Sequence, residues 1–201
     1  MQATIPAKRS LAQPEQAFSA TVPGKIALAV AASAFVALCA HISLPLPFTP
    51  VPLTLQNFAV LLVGLALGPV AAFSAMMLYL AEGAMGLPVF APNGLGGIAQ
   101  LLGPTGGYLF SYPLAAAVAG LAKHFTSRHL SSFTAGVAST VGATVVILSF
   151  GALWLSHTLH LSAPATWHLA TEPFLFGEAA KIIAAAGIFS SIISTRRWLR
   201  S

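Results

Sequence analysis

Long apolar stretches alternate with short polar or Gly/Pro-rich connections along most of the chain. Six stretches are long enough to form helices that cross a membrane. They lie at about 25–44, 53–67, 69–84, 107–122, 133–155 and 173–195. The second and fourth are near the short limit of about 17 residues, so we expect tilted helices or half-buried ends there. The pattern predicts an all-α fold, a polytopic membrane protein with six transmembrane helices.

Composition supports the membrane interpretation. Hydrophobic residues make up 57% of the chain and charged residues only 6%, against about 25% charged residues in an average soluble domain. Nine Lys and Arg and four Asp and Glu are too few to cover a water-facing surface. Cys39 is the only cysteine, which excludes an intrachain disulfide. Polar residues precede a first stretch that is long enough to span, so we expect no cleaved signal peptide. Leu38 is larger than a lipoprotein cleavage site requires and five more apolar stretches follow, so we do not expect lipidation of Cys39.

The cations predict the orientation of the helices. Apart from Lys181, they flank the predicted spans: Lys8, Arg9 and Lys25 before the first, Lys123 and Arg128 between the fourth and fifth, and Arg196, Arg197 and Arg200 in the tail. The other connections, 45–52, 85–106 and 156–172, contain no Lys or Arg. Cytoplasmic loops carry the excess of cations, so we expect both termini to be cytoplasmic.

We interpret residues 1–24 as a cytoplasmic segment, 25–195 as the membrane domain and 196–201 as a basic cytoplasmic tail. Because the cations follow the membrane edges, the net charge of +5 does not indicate nucleic-acid binding.

Two connections on the predicted outer side are apolar yet rich in Gly and Pro. Residues 45–52 read PLPFTPVP, and residues 86–108 read GLPVFAPNGLGGIAQLLGPTGGY. Irregular backbone at a membrane surface has to be buried in protein or line a cavity. We therefore expect a structured cap over an outward-facing pocket. The alternative is that these connections are partly helical and lie at the membrane interface.

Two charged residues in the sixth stretch give the strongest indication of a functional site. Glu178 and Lys181 are three residues apart, so their Cβ atoms lie about 5–6 Å apart on one helix face. Counted from Pro173, Lys181 lies roughly 12 Å along the helix. Charged residues at such depth commonly face a cavity that takes a substrate or an ion. The alternative is a structural pair whose charges neutralise each other.

The pair also indicates a class of ligand. Lysine offers three donors, and an ionised glutamate only accepts. Together they can bind a group with an acceptor beside a donor, such as an amide or a ureido group. Alternatively, Lys181 can pair with a ligand carboxylate, and the spacing does not choose between the two.

Other polar residues lie near the outer ends of the predicted helices. Gln56 and Asn57 begin the second span, where each could contact a ligand or reach the interface. Glu82 is either a residue at the lip of the third span or a further polar group of the pocket. Tyr108 supplies a ring and a hydroxyl at the predicted pocket mouth.

The sequence offers little support for catalysis or for a metal site. Residues 103–108 are rich in glycine but lack the Gly-Lys-Ser/Thr ending of a phosphate-binding loop. His157, His160 and His168 have no carboxylate or cysteine at convincing ligand spacing. No Gly-x-Ser-x-Gly motif is present. We therefore expect no catalytic residue, no cofactor and no metal.

Small residues form a stripe along the first span. Ala27, Ala31 and Ala34 recur at helical spacing. Such a face permits close helix contact in lipid. It packs either inside its own bundle or against a partner protein.

Three segments together resemble one family. They read PLPFTPVPLTLQNFAVLLVGLALGP (45–69), GLPVFAPNGLGGIAQLLGPTGGYLFSYPLAA (86–116) and PFLFGEAAKIIAAA (173–186). In order and in one register, they are similar to the BioY family, the biotin-specific substrate-binding (S) subunits of prokaryotic energy-coupling-factor (ECF) importers. The resemblance covers roughly residues 25–195. Glu178 stands where the family usually has Asp, and Ala91-Pro92-Asn93 replaces the more common Ala-Gly-Gly.

The resemblance implies an S-component bundle in the cell membrane that takes up biotin from outside. The resemblance implies that Glu178 and Lys181, in the family's ligand-binding element of the last helix, contact biotin. Together with them, we expect these biotin-binding residues: Gln56, Tyr108, Asn93, Phe48 and Phe90. The implied partners are a transmembrane coupling subunit, which would dock on Ala27, Ala31 and Ala34, and two ATPase subunits that are dispensable in some members. The alternatives are an S subunit for another vitamin and a stand-alone facilitator without ATPase partners.

Overall fold

The computed structural model of the protein describes residues 21–126 and 130–199, which form a helical bundle. In chain order, its elements are α1 (Val22–His41), β1 (Ser43–Leu44), β2 (Leu53–Thr54), α2 (Gln56–Leu67), α3 (Pro69–Ala84), α4 (Gly97–Leu102), α5 (Gly106–Thr126), α6 (Ser132–Leu159), α7 (Ala163–Ala170) and α8 (Glu172–Trp198). Helices α1, α2, α3, α5, α6 and α8 correspond to the six predicted spans. The all-α fold class is confirmed.

Several sequence-based expectations fall outside the described residues. They concern most of the predicted segment 1–24, the end of the tail at 200–201, and the cations Lys8, Arg9, Arg128 and Arg200. Within the described part, α1 begins three residues before the predicted boundary at 25, and α8 continues past 195 to Trp198. The predicted division of the chain into three segments stays a prediction.

The chain between the first two long helices departs most from the predicted bounds. Residues 43–44 and 53–54 were included in predicted helices but pair as antiparallel strands, with Ser43 opposite Thr54 and Leu44 opposite Leu53. Pro45 explains the first change, because proline disfavours the helical conformation of the residue before it. The loop 45–52 is thus the end of a small hairpin.

The helices differ in length. By length and composition, α1, α6 and α8 can cross a membrane, whereas α2 and α3 are shorter apolar helices of 12 and 16 residues. At 1.5 Å per residue, α2 extends only about 18 Å, against a hydrocarbon core of about 30 Å. Residues of loop 45–52 and of the connection between α3 and α5 line a cavity with the first turn of α2. The short α2 therefore leaves room for a site inside the bundle.

Small residues bring the central helices into close contact. A Cβ atom added at Gly64 of α2 would lie 2.7 Å from both the carbonyl oxygen of Ala116 and the Cβ of Ala119 on α5. Ala72 and Ala75 on α3 and Ala115 on α5 are fully buried. In lipid, where apolar burial drives helix association weakly, such close packing supplies much of the attraction.

Large apolar side chains cover the outside of the bundle. Phe176 is 90% exposed, Leu153 73% and Leu38 71%. Exposed apolar side chains of this kind suit a surface that faces lipid.

Hydrogen bonds hold the outer connections to one another. Thr49 Oγ1 donates to the Leu169 carbonyl over 2.8 Å, joining the hairpin to α7. Trp154 Nε1 on α6 donates to the Gly103 carbonyl over 2.9 Å. Asn93 Nδ2 donates to Ser43 Oγ over 3.0 Å. The connections 45–52 and 86–108 are structured, as predicted, and helix α4 shows that the second is also partly helical.

The close contact between α5 and α6 generates a stability prediction. A Cβ added at Gly107 would collide with Trp154 Cβ and would lie 2.6 Å from the Phe150 carbonyl oxygen. We expect Gly107→Ala to destabilise the protein by about 1–3 kcal/mol, because the helices must move apart. Thermal unfolding in detergent measures this change.

Gly142→Ala is the matched control on α6. Its added Cβ would come no closer than 3.8 Å to a neighbouring atom, Val118 Cγ1. Alanine has the higher helix propensity, so we expect an unchanged or slightly raised melting temperature. Equal melting temperatures for the two variants would contradict the close packing at Gly107.

Candidate functional site

Buried polar side chains gather where α2, α5 and α8 meet below the outer connections. They line a cavity whose walls are otherwise apolar. Its lining comprises Val51, Pro52, Thr54, Gln56, Asn57, Ala91, Gln100, Thr105, Tyr108, Leu109, Tyr112, Leu148, Phe174, Glu178 and Lys181. A mainly apolar cavity with a few convergent polar groups is the usual form of a small-molecule site.

The charged pair lies in the first turns of α8. The helix begins at Glu172, and Pro173 lies in its first turn. Proline is tolerated there because the N–H that it lacks would have no acceptor within the helix. Lys181 Nζ donates to Glu178 Oε1 over 2.7 Å, and both side chains are at least nine-tenths buried. The predicted proximity of the two residues is therefore observed. Each charge compensates the other at a buried position.

Residues of two other helices extend the contact between Glu178 and Lys181 into a hydrogen-bond network. Asn57 Nδ2 on α2 donates to Glu178 Oε1 over 2.9 Å. Tyr112 OH on α5 donates to Asn57 Oδ1 over 2.8 Å. The network Tyr112–Asn57–Glu178–Lys181 thus connects α5, α2 and α8 at one level of the bundle.

One oxygen of this network has no partner. Glu178 Oε2 is buried and makes no hydrogen bond, whereas Oε1 accepts two. An unpaired carboxylate oxygen in a protein interior costs free energy, about 1–3 kcal/mol or more for a charged group. Because Glu178 lines the cavity, a ligand N–H can satisfy this oxygen.

Gln56 connects the cavity to the connection above α3. Its Nε2 donates to Tyr79 OH over 2.7 Å, and Tyr79 OH donates to the Val89 carbonyl over 2.9 Å. Tyr79 itself is fully buried and packs edge-on against Phe90, with ring centroids 5.4 Å apart. Gln56 is therefore held by a buried tyrosine rather than extended towards the membrane interface.

At the outer part of the cavity, side chains form hydrogen bonds to backbone groups and close it. Tyr108 OH donates to the Ala170 carbonyl over 2.7 Å. Gln100 Oε1 accepts from the Gly96 N–H over 3.1 Å. Gln100, Thr105 and Pro52 also line an adjoining cleft of about 210 Å³. These three residues therefore form the partition between the cavity and the outer cleft.

The cavity is narrow in this structure. Its volume is about 40 Å³, enough for a few water molecules at about 10–15 Å³ each. Sites for small organic ligands commonly measure about 300–1,000 Å³. A bicyclic ligand therefore requires the lining to move apart, and the partition shared with the outer cleft is one place where it can do so.

The structure brings four of the seven predicted ligand residues together. Lys181, Glu178, Gln56 and Tyr108 line the cavity. Asn93 lines the outer cleft, Phe90 is buried against Tyr79, and Phe48 is 55% exposed. Those three are not in the lining of the cavity, and a contact with a ligand in it would need a movement of the outer connections.

Sequence reasoning overlooked several lining residues. Tyr112 lies one helical turn after Tyr108, a spacing that puts both on one face of α5. Gln100 and Thr105 are polar residues in an apolar connection, and this contrast could have identified them as candidate lining residues. For Asn57, the sequence left open whether the side chain contacts a ligand or reaches the membrane interface.

Glu82 belongs to a different contact. Ser33 Oγ on α1 donates to Glu82 Oε2 on α3. Glu82 is half-buried and does not line the cavity. Of the two roles considered for it, a further polar group of the pocket is not supported.

The stripe of small residues on α1 lies on the surface of the bundle. Ala27, Ala31 and Ala34 are all exposed in the structure, so their stripe does not pack inside the bundle.

Among the described residues, no group of three or more His, Cys, Asp or Glu side chains could hold a metal ion. His168 instead pairs with Glu172 at the exposed start of α8.

Comparison with known proteins identifies the chain. A sequence model of the BioY family matches residues 12–198. A probable biotin transporter BioY of Pyrococcus horikoshii is 40% identical over 136 residues, 68% of this chain and 76% of that protein. The biotin transporter BioY of Thermotoga maritima is 39% identical over 154 residues, 77% of this chain and 86% of that protein.

A solved structure shares the architecture. The crystal structure at 2.1 Å of the S-component for biotin from an ECF-type ABC transporter superposes with a TM-score of 0.76 at 25% identity. The superposition covers 85% of this chain and 90% of that chain. The fold and these relatives thus define a multi-pass membrane transport protein with an internal cavity rather than an enzyme. The chain belongs to the BioY family.

Proposed function

We propose that this protein is the biotin-binding S subunit of an ECF importer and that biotin occupies the cavity between α2, α5 and α8. The observation that carries the proposal is the buried Glu178–Lys181 pair, which lines the cavity and in which Glu178 Oε2 has no hydrogen-bond partner. The names of the relatives, biotin transporters, agree with it.

The chemistry of the cavity suits biotin in each of its parts. The ureido head has a carbonyl that can accept from Lys181 Nζ and N–H groups that can donate to Glu178 Oε2. The apolar part of the bicycle matches the polarity of walls such as Leu109, Leu148 and Phe174. The carboxylate tail then extends towards the outer cleft, where Gln100 and Thr105 are lining residues with N–H or O–H donors.

Transport would require other chains. The sequence contains no phosphate-binding loop of the ATPase type, so ATP-driven uptake would depend on ATPase subunits and a transmembrane coupling subunit. The exposed stripe Ala27, Ala31 and Ala34 supports docking of the coupling subunit on α1, because small residues let another helix approach closely.

The proposed orientation has both termini in the cytoplasm. The cations of the amino-terminal segment, of the connection between α5 and α6 and of the tail would then share one side. This distribution is the one that the positive-inside rule describes. The cavity and the outer connections would face outward, where biotin arrives.

The ion pair provides the test of the ligand site. Lys181→Ala removes a charged donor and leaves Glu178 buried without a counterion, so we expect biotin affinity to fall about ten- to a hundredfold. Glu178→Ala should have a similar effect, whereas Glu178→Asp, the usual family residue, should bind within about tenfold of wild type. The double alanine variant should lose less than the sum of the single losses, because it leaves no lone charge.

Dissociation constants for labelled biotin on monodisperse protein measure these effects, with other vitamins as competitors. Glu172→Gln, at the exposed start of α8, is the control and should bind like wild type. Wild-type affinity in both Lys181→Ala and Glu178→Ala would show that the pair is structural and that biotin binds elsewhere.

Cysteine labelling tests the orientation in a Cys39→Ser background. Leu95, in the outer connection, and Leu130, between α5 and α6, both have exposed side chains. An impermeant thiol reagent should label Leu95→Cys in intact cells and Leu130→Cys only after permeabilisation. The reverse pattern would mean that the protein is inserted the other way round.

A bulky substitution tests the docking surface on α1. Ala31→Leu should reduce assembly with the coupling subunit, or transport, at least about tenfold while biotin binding by the isolated chain stays within about twofold, because a new side chain at a close contact costs roughly 1–3 kcal/mol. Ala138→Leu makes the same change at an exposed site on α6 and is the control. Equal loss of binding and transport in Ala31→Leu would mean that the residue supports the bundle itself.

A further inference from the structure

The hydrogen bonds around Tyr79 determine which end of the Gln56 amide faces the cavity. The Val89 carbonyl can only accept, so Tyr79 must use its single O–H to donate to it. The Tyr79 oxygen is then left as an acceptor. Only the NH₂ end of Gln56 can bond to that acceptor, which is the arrangement observed. The Gln56 carbonyl oxygen Oε1 is therefore the end that remains for a ligand in the cavity that Gln56 lines.

The hydrogen bonds of Asn57 determine the orientation of its amide in the same way. Glu178, when ionised, can only accept, so Asn57 presents its NH₂ end to Glu178 and its carbonyl to Tyr112. Both ends of the Asn57 amide are thus bonded within the protein. Of these groups, Glu178 Oε2 and Gln56 Oε1 are left as acceptors, and Lys181 Nζ is left with N–H groups to donate.

Packing makes the orientation of Tyr79 rigid. Its side chain is fully buried, and Gln56 is 3% exposed. The Phe90 ring meets Tyr79 at an interplanar angle of 73° and lies directly over Gly83, where a Cβ would collide with it. Rotation of the phenol away from Val89 would break the bond to its part-buried carbonyl and leave the O–H of the fully buried Tyr79 without that acceptor, which is costly.

We propose that Tyr79 is a positioning residue that holds the Gln56 carbonyl as a second acceptor, so that the cavity selects a ligand with two N–H groups flanking a carbonyl. A cyclic urea has this order of donor, acceptor and donor. The carbonyl would accept from Lys181 and the two N–H groups would donate to Glu178 and Gln56. The inference rests on the proposed function and adds a residue that does not line the cavity.

The test uses biotin and its two cyclic-carbamate analogues, in each of which one ureido N–H is replaced by a ring oxygen. The change is nearly isosteric but converts a donor into an acceptor. In wild type, the analogue with its oxygen facing Gln56 should bind at least about tenfold more weakly than biotin, because two acceptors then oppose each other. In Tyr79→Phe the amide is free to turn its NH₂ end to the ring oxygen. The penalty for that analogue should shrink to within about threefold of biotin, while the penalty for the other analogue stays unchanged.

Two further variants make the result specific. Gln56→Met keeps the Tyr79–Val89 bond and removes the acceptor, so it should lose the same discrimination, and it serves as the test if Tyr79→Phe does not fold. Trp154→Phe removes a comparable bond from a side chain to a connection, at Gly103, without touching Gln56. It should shift the affinities for all three ligands equally.

The outcomes separate this inference from the proposed function. Failure of the wild type to bind biotin would overturn both. If the wild type binds biotin but Tyr79→Phe and Gln56→Met discriminate between the analogues as the wild type does, the proposed function stands and the positioning role of Tyr79 is wrong. An equal loss of affinity for all three ligands in Tyr79→Phe would mean that the residue only supports the fold, which also overturns the inference.

Discussion

The buried ion pair of Glu178 and Lys181 is the interaction on which the arrangement of the site depends. Moving each ion out of water costs several kcal/mol, and mutual attraction compensates this cost only when further hydrogen bonds satisfy the remaining groups. Lipid offers no such partners. Asn57 from α2 and Tyr112 from α5 must therefore reach the same level as α8. The need to satisfy one carboxylate thus fixes the relative height of three helices.

Directional hydrogen bonds determine the polarity of the cavity. Each chain of bonds ends in a group that can only accept: the Glu178 carboxylate or the Val89 carbonyl. Because these end groups only accept, the side-chain amides of Gln56 and Asn57 each have one orientation that satisfies their partners. The carbonyl of Gln56 is available to a ligand, whereas both ends of the Asn57 amide are engaged. A preorganised set of groups of this kind avoids the cost of ordering them when the ligand binds.

The outer connections explain how an open-ended bundle can enclose a site. The hairpin, α4 and α7 are joined to one another and to α6 through bonds such as Thr49 to Leu169 and Trp154 to Gly103. They leave a cavity of only about 40 Å³, next to an outer cleft of about 210 Å³. Entry of a ligand requires the lining to move apart, and the partition of Pro52, Gln100 and Thr105 between the two is one place where it can do so. The free energy of binding includes the cost of that movement.

Local sequence determined the helices and the ion pair. Apolar stretches located all six long helices, and the i, i+3 spacing placed Glu178 beside Lys181 on one face, because both features depend only on neighbouring residues. Short motifs also identified the family, which the comparisons confirmed. The pattern misassigned residues 43–44 and 53–54, since an apolar strand before a proline and the end of an apolar helix look alike in composition.

Tertiary structure decided which residues share the cavity. Tyr112, Gln100 and Thr105 joined Lys181 in its lining, whereas Phe48, Phe90 and Asn93 did not. Tyr79, far from α8 in sequence, became the partner of Gln56 through a bond between side chains 23 residues apart. Such contacts depend on how helices rotate and on where connections fold back. Those properties are set by packing among distant residues, so no local pattern of the chain contains them.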